Sequence, residues 1–509
     1  MPGPFCFLRY FSGCMRAAET GNGTLSLDKP HQTALYWFRR ALRLDDNTGL
    51  ARALETARSV VPVFILDPSL LTSPTTGAAR TRFLFDSLAA LDEALRERGS
   101  RLVVRRGKPV EELERLVEET GATALVFGRE YEPFGRARDQ AVETAMRCRG
   151  VAVEQADDHL LVEPGQVCTR AGTPYTVFTP FRRVWREQPV AAPIDAPARI
   201  PSPARIGSEP LPVSPAEAGV ADHALWQEPR VRGGEVEAAR WLDTFVESCL
   251  GTYDADRDVP GVEGTSRLSA YLRSGVVSAR RVFARVRERR AASGADGRAG
   301  ADTFLSELAW RDFYYQILWH FPHVEVGAFR QELNDLDWEN DDAHFAAWTE
   351  GRTGYPIVDA AQRQLAREAW MHNRARMITA SFLTKDLLID WRWGETLFMQ
   401  RLVDGDLASN NGGWQWAAST GTDAQPYFRI FNPVSQGEKF DPAGAYVKRW
   451  VPELARVPAK YVHRPWELTP AEQEAVGCVL GRDYPHRIVD HAAQRDKALR
   501  LYRRRKEDK

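Results

Sequence analysis

A doubly wound parallel α/β domain followed by an all-α domain is the fold the sequence predicts, on three observations. Short apolar runs alternate with amphipathic helical stretches from residue 34 to residue 154, the pattern of an open parallel sheet with helices on both faces. Seven prolines fall between Pro193 and Pro215, interleaved with Ala, Ser and Gly, and mark a connection between domains. From Glu235 onward apolar residues recur at three- and four-residue spacing without a convincing strand, which reads as a helical domain.

In order, the first domain reads as strand 34–38, helix 48–58, strand 60–66, helix 79–98 and strand 101–104. Helix 110–119, strand 124–127, helix 136–147 and strand 151–154 complete it. After the first strand stands Arg39-Arg40-Ala-Leu-Arg43 rather than GxGxxG, so the usual dinucleotide fingerprint is absent. The domains are set at 33–165 (α/β), 166–234 (linker), 235–480 (helical) and 481–509 (a basic, solvated tail). Within the helical part, Ala291-Ala-Ser-Gly-Ala-Asp-Gly-Arg-Ala-Gly300 reads as a flexible loop.

Composition narrows the class. The 509 residues are 43% hydrophobic and 27% charged with a net charge of −1. These values fit a globular enzyme and argue against a wholly basic nucleic-acid binder, while leaving room for a local basic groove. Six scattered cysteines form no CxxC and have no histidine at metal spacing, which favours reduced thiols in a cytoplasmic protein and no metal. No apolar run reaches membrane-spanning length. Residues 1–32 do not fit a domain and read as a floppy extension, or as an overlong start with Met15 the true one. A monomer is expected.

Eleven of the 15 tryptophans lie between Trp310 and Trp466. Indoles are costly to bury without a partner for each N–H, and they stack on other rings, so the cluster suggests an aromatic cofactor, an aromatic substrate or both. Asp404-Gly405-Asp406-Leu-Ala-Ser-Asn410-Asn411-Gly-Gly-Trp414-Gln-Trp416 is too polar for ordinary core. Glu307, Trp310, Arg311 and Tyr314 share one helical face, a suitable wall for a nucleobase pocket. Gly264-Thr265-Ser266-Arg267-Leu268-Ser269 offers hydroxyls and an Arg at a helix start, which suits either a phosphate cradle or a plain cap. In Trp370-Met-His372-Asn373-Arg374-Ala-Arg376-Met377, residues 373 and 377 share a face, and His372 reads as a hydrogen-bonded core residue. Arg273, Arg280, Arg281, Arg285, Arg287, Arg289 and Arg290 read either as a solvated face or as a groove tracking phosphates.

These motifs, with Trp37-Phe-Arg-Arg-Ala-Leu-Arg43 and Phe428-Arg-Ile-Phe-Asn-Pro433, resemble the cryptochrome/photolyase family, and within it class I cyclobutane pyrimidine dimer photolyases. The resemblance runs from about Ala34 to Trp466. It implies a helical domain holding one FAD, from whose reduced form light drives an electron into a pyrimidine dimer flipped out of UV-damaged DNA. By motif position it implies that Tyr253, Thr265, Ser266, Arg267, Leu268 and Ser269 bind FAD, with Asp404, Gly405 and Asp406 on the flavin side. It further implies an Asp404–Arg376 pair and Asn410 facing flavin N5. Trp310 and Trp416 would pack on the dimer, Glu307 would bond its base edges, and Met377 and Asn373 would line the lesion pocket. Arg257, Arg374 and Gln436 would contact DNA, with Arg311 and Tyr314 on the same wall. Trp414, Trp391 and Trp338 would pass electrons between flavin and surface.

Two positions depart from the pattern. Ala41 stands where an acid is common, which touches domain packing more than chemistry. In the antenna stretch Glu132-Pro-Phe134-Gly135-Arg136, Gly135 occupies the position of a folate-binding Glu, which favours a deazaflavin over methenyltetrahydrofolate. Competing readings are a cryptochrome-like blue-light sensor without repair activity and a single-strand nucleic-acid binder. A repair enzyme acting on (6-4) photoproducts would carry histidines at 373 and 377.

Overall fold

The computed structural model describes residues 29–220 and 230–507; residues 1–28, including Met15 and most of the expected extension, lie outside the described residues. The α/β domain has five strands, β1 (His31–Phe38), β2 (Ala57–Leu66), β3 (Val103–Arg106), β4 (Ala124–Gly128) and β5 (Ala152–Ala156). They pair in parallel in the order β3-β2-β1-β4-β5. Ala34 of β1 sits opposite Val60 on one side and Ala124 on the other. The period of two sends Ala34, Tyr36 and Phe38 into the large core and Leu35 and Trp37 into a second core on the other face.

Helices Thr48–Thr56, Ala78–Glu97, Pro109–Thr120 and Pro133–Cys148 cover the sheet. The last begins three residues before the expected start, because Pro133 occupies the first turn, where a missing N–H costs nothing. β1 begins at His31, three residues before the expected strand start.

The helical domain runs from Glu235–Ser248 to His491–Glu507, and no strand interrupts it among the described residues. Its longest helix is Ala295–His320; helix Leu407–Ala418 packs on it and in turn takes helices Asn373–Ser381 and Trp391–Arg401. Two expectations need correction. The stretch read as a loop at 291–300 is broken only at Ser293–Gly294, between helices Ala279–Ala292 and Ala295–His320; its alanines favour helix and outweigh the glycines. The basic tail forms helix His491–Glu507. Arg500 and Arg503 face solvent, but Ala498 and Tyr502 are buried, and Tyr502 donates to the Ala418 carbonyl.

The linker is docked rather than loose. Val60 N–H donates to Pro201 O and Glu209 N–H to Val104 O, and helix Phe178–Trp185 lies on Ala295–His320 with Trp185 Nε1 donating to Asp312 at 2.9 Å. In open parallel sheets ligands enter the crevice where strand order reverses, here between β1 and β4. In this protein the helical domain reaches that end of the sheet, where Arg40 bonds the hydroxyl of Tyr315 at 2.6 Å.

Candidate active site

A cavity of about 450 Å³ opens in the helical domain, within the range that takes a cofactor or a flipped base. Ala295–His320 supplies Glu307, Trp310, Arg311 and Tyr314 from one face; Asn373–Ser381 supplies Asn373, Arg376 and Met377. The turn Asp404-Gly405-Asp406 and helix Leu407–Ala418 supply the opposite wall, with Asn410, Trp414 and Trp416. Ser269 and Arg257 complete it. Ser409, Gly413, Ala380, Phe398 and Leu402 also line it and were not singled out from the sequence. The Phe398–Trp414 contact joins residues from two helices, which local spacing does not reveal.

Local chemistry explains the polar wall. Asp406 caps Leu407–Ala418 by accepting from Ser409 N–H at 3.0 Å. Burial acts to raise its carboxyl, but Arg40 and the Tyr315 hydroxyl override this, so Asp406 stays ionised below the usual carboxylate range. Asp404 pairs with Arg376 at 2.8 Å. Asn410 Nδ2 donates to the Glu395 carbonyl at 3.0 Å, which fixes the amide orientation and leaves Oδ1 for an occupant. The glycines serve close approach: a Cβ on Gly412 would stand 2.1 Å from the Tyr314 ring, and one on Gly394 would stand 2.0 Å from the Trp414 ring.

The other wall is aromatic and partly charged. Trp310 stacks on Phe178 with centroids 3.5 Å apart and on Tyr314 at 5.5 Å. Glu307 and Arg257 pair at 2.5 Å, and burial lifts the Glu307 carboxyl above its ordinary range against the pull of Arg257. Arg311 lines the cavity, but its guanidinium is held by His159 O at 2.9 Å and His159 Nε2 at 2.7 Å.

Other predicted residues lie outside the lining. Thr265 faces a separate pocket of about 370 Å³ with Arg230 and Trp241. Ser266 Oγ accepts from Leu268 N–H, and Leu268 is core. Arg267 is buried between Glu263 (3.0 Å) and Glu368 (3.4 Å), over the Trp370 ring. Within the 265–269 stretch, Thr265 lines the smaller pocket and Ser269 the larger cavity. Tyr253 is buried edge-on to Phe245 and Phe304. Arg374 pairs with Asp258 at 2.8 Å, and Gln436 is half-buried on helix Pro433–Phe440. His372 is a buried cap that accepts from Arg374 N–H, with its pKa lowered to about 4 by burial. Of the three wire tryptophans, Trp414 lines the cavity, Trp391 is fully buried and Trp338 is half-buried against Tyr502.

The arginine run does not form an open groove. Arg280 is buried between Asp46 and Asp158, Arg281 pairs with Asp45, Arg285 with Asp243 and Glu288, and Arg290 with Asp302. Arg273 donates to Gly405 O. Arg287 and Arg289 face solvent.

Comparison with known proteins follows from this geometry. Residues 34–201 match the family model described as DNA photolyase, and residues 304–504 match the one described as FAD binding domain of DNA photolyase. A deoxyribodipyrimidine photo-lyase from Synechococcus sp. is 41% identical over 483 residues, covering 92% of this chain and 96% of its own. The chain belongs to the deoxyribodipyrimidine photo-lyase family. A class III photolyase structure from Agrobacterium tumefaciens superposes with a TM-score of 0.89 at 39% identity, covering 95% of this chain and all of that one. A Synechocystis cryptochrome structure gives 0.84 at 28%, covering 92% and 99%.

As in a photolyase, the helical half is an FAD-binding domain, and the cavity residues fit such a group. No atom lies within 4 Å of where a Cβ of Gly413 would point, apart from its own helix backbone. The Asn410 amide is oriented, and the Arg376–Asp404 pair stands ready for polar ring edges. Among the described residues no cluster suits a metal ion, and no helix is long and apolar enough to cross a membrane.

Proposed function

We propose that the protein repairs cyclobutane pyrimidine dimers in DNA under light, as a class I photolyase, using FAD held by Arg376, Asp404, Gly405, Asp406, Asn410 and Ser269. When bound and reduced, FAD supplies one electron to the dimer on illumination and recovers it after the ring splits. The observation that carries the reading is one cavity shared by the polar Asp404–Asn410 wall and the aromatic Trp310–Trp416 wall. A base flipped into it would leave water, stack on indoles and be read at its edge.

Each side chain then has a defined task. Trp310, held flat by Phe178, and Trp416 exclude water and grip the dimer. Glu307, with its raised pKa, can share a proton with a pyrimidine carbonyl, while Arg257 fixes its direction. Asn373 Nδ2 lies 3.8 Å from Met377 Sδ, and neither group can act as acid or base. That supports dimer splitting over the (6-4) reaction, which needs such a group. Trp414 at the cavity, buried Trp391 and half-buried Trp338 would serve as the electron wire. Arg257, Arg374 and Gln436 would meet the DNA flanks, and Tyr253 and 265–268 would support the cofactor from behind.

For the antenna, we infer a deazaflavin. A Cβ on Gly135 would stand 2.8 Å from Glu130 Oε2 and 3.0 Å from Glu130 Cβ, so a glutamate there would have to displace the Glu130 side chain. Extracting the pigment and recording its spectrum tests this; a folate spectrum overturns it.

The deciding experiment mixes purified protein carrying reduced FAD with UV-irradiated oligothymidylate under near-UV light. Recovery of thymine absorbance is expected. Its absence would favour the blue-light sensor.

A further inference from the structure

We propose that Arg40 is a positioning residue for the cofactor cavity, acting across the domain interface through Tyr315 and Asp406. The inference rests on the reading that this cavity holds FAD. Arg39 and Arg40 follow β1 where the dinucleotide fingerprint is missing, and the two neighbours have diverged. Arg39 stays within its own domain, bonding Asp139 and Gly128 O and lying over the Trp37 ring at 4.4 Å. Arg40 turns the other way. It bonds Glu132 of its own domain, donates to Tyr315 Oη at 2.6 Å and stands 3.5 Å from Asp406 Oδ2. Tyr315 in turn donates to Asp406 Oδ2 at 2.5 Å.

Asp406 lines the cavity and caps the helix that carries Asn410, Trp414 and Trp416. Its neighbours are gripped in the same way: Arg376 holds Asp404, and Arg273 donates to Gly405 O. Three consecutive residues are thus held by three arginines from distant parts of the chain. Arg40 is the one supplied by the α/β domain. Because Arg40 sits beside a buried carboxylate, its charge decides how much negative potential Asp406 presents to the cavity.

The test uses the full chain loaded with FAD and compares Arg40→Gln, Arg40→Lys, Arg39→Gln and Tyr315→Phe. The readouts are the spectroelectrochemical midpoint potential of the bound flavin, FAD occupancy and unfolding temperature. Arg40→Gln removes the positive charge that stands 3.5 Å from Asp406, so one-electron reduction should become about tenfold less favourable, 59 mV lower. Arg40→Lys should recover most of that shift, and Arg39→Gln should leave the potential unchanged whatever it does to unfolding. If Arg40→Gln does not hold FAD, Tyr315→Phe carries the test; it keeps the guanidinium but removes the hydroxyl donor, with an expected shift of the same sign, about threefold. A wild-type potential in FAD-loaded Arg40→Gln, or in Tyr315→Phe where that variant stands in, overturns the proposal, as does an equal shift from Arg39→Gln. A wild-type protein that takes up no FAD on titration removes the cofactor reading itself, and this proposal with it.

Discussion

Glu395→Gln should make the protein more stable than wild type at alkaline pH and not at acidic pH. Glu395 is buried on helix Trp391–Arg401, and one carboxylate oxygen accepts from Asn411 Nδ2 at 3.0 Å. Burial raises its pKa from 4.5 to about 7. Between those values the unfolded chain has released the proton and the folded chain retains it, so stability falls as pH rises. The 2.5 units between the two values, at 1.36 kcal/mol each, give a loss of about 3 kcal/mol, complete above pH 7. A glutamine keeps the acceptor oxygen for Asn411 and never ionises, so this slope disappears. At roughly 2.1 cal/mol/K of unfolding entropy per residue, one cooperative unit of this size shifts by about 1 °C per kcal/mol, so the variant should gain on the order of 3 °C relative to wild type between pH 4.5 and pH 8. Matched thermal scans of both proteins across that range measure it. Parallel curves, with a difference independent of pH, would refute the reasoning, because they would mean that Glu395 ionises alike in the folded and unfolded chain.

Trp338→Phe should slow light-driven reduction of oxidised FAD and spare repair by chemically reduced protein; equal loss of both removes Trp338 from the wire. Glu307→Ala should weaken repair by roughly 10- to 100-fold, the worth of a hydrogen bond to a charged group, with FAD retained, as read by flavin absorbance and repair yield. Gly394→Ala would push a methyl into the Trp414 ring, costing about 1–3 kcal/mol of overpacking in a melting experiment and slowing photoreduction as the ring moves.

Much of the α/β fold is legible locally, because a parallel strand buried on both faces is a continuous apolar run, as at Val60–Leu66. Motifs contiguous on one helix, such as Glu307 to Tyr314, also arrive together in the cavity. Charge is where local reading goes wrong. The run from Arg273 to Arg290 has the density of a phosphate groove, yet Arg280 finds Asp46 and Asp158 more than 100 residues away. Nothing at short range distinguishes a guanidinium that will be neutralised from one left free. The loop assigned at 291–300 fails for another reason: glycines signal a break only where neighbouring alanines do not favour helix more strongly.

The carboxylates of Asp46 and Asp158 also bear on how the molecule can be divided. Arg43 and Arg280 share Asp158 at 2.6 and 2.7 Å, and Arg280 reaches Asp46 at 3.1 Å, all away from solvent. Severing the chain in the proline-rich stretch would leave Asp46 and Asp158 in one fragment with Arg43 and part them from Arg280 in the other, so each fragment would lose half of a buried charge cluster. Calorimetry of the intact chain should therefore show one endotherm, and neither half should be a viable module for grafting. The two architectural halves should melt together as a single cooperative unit.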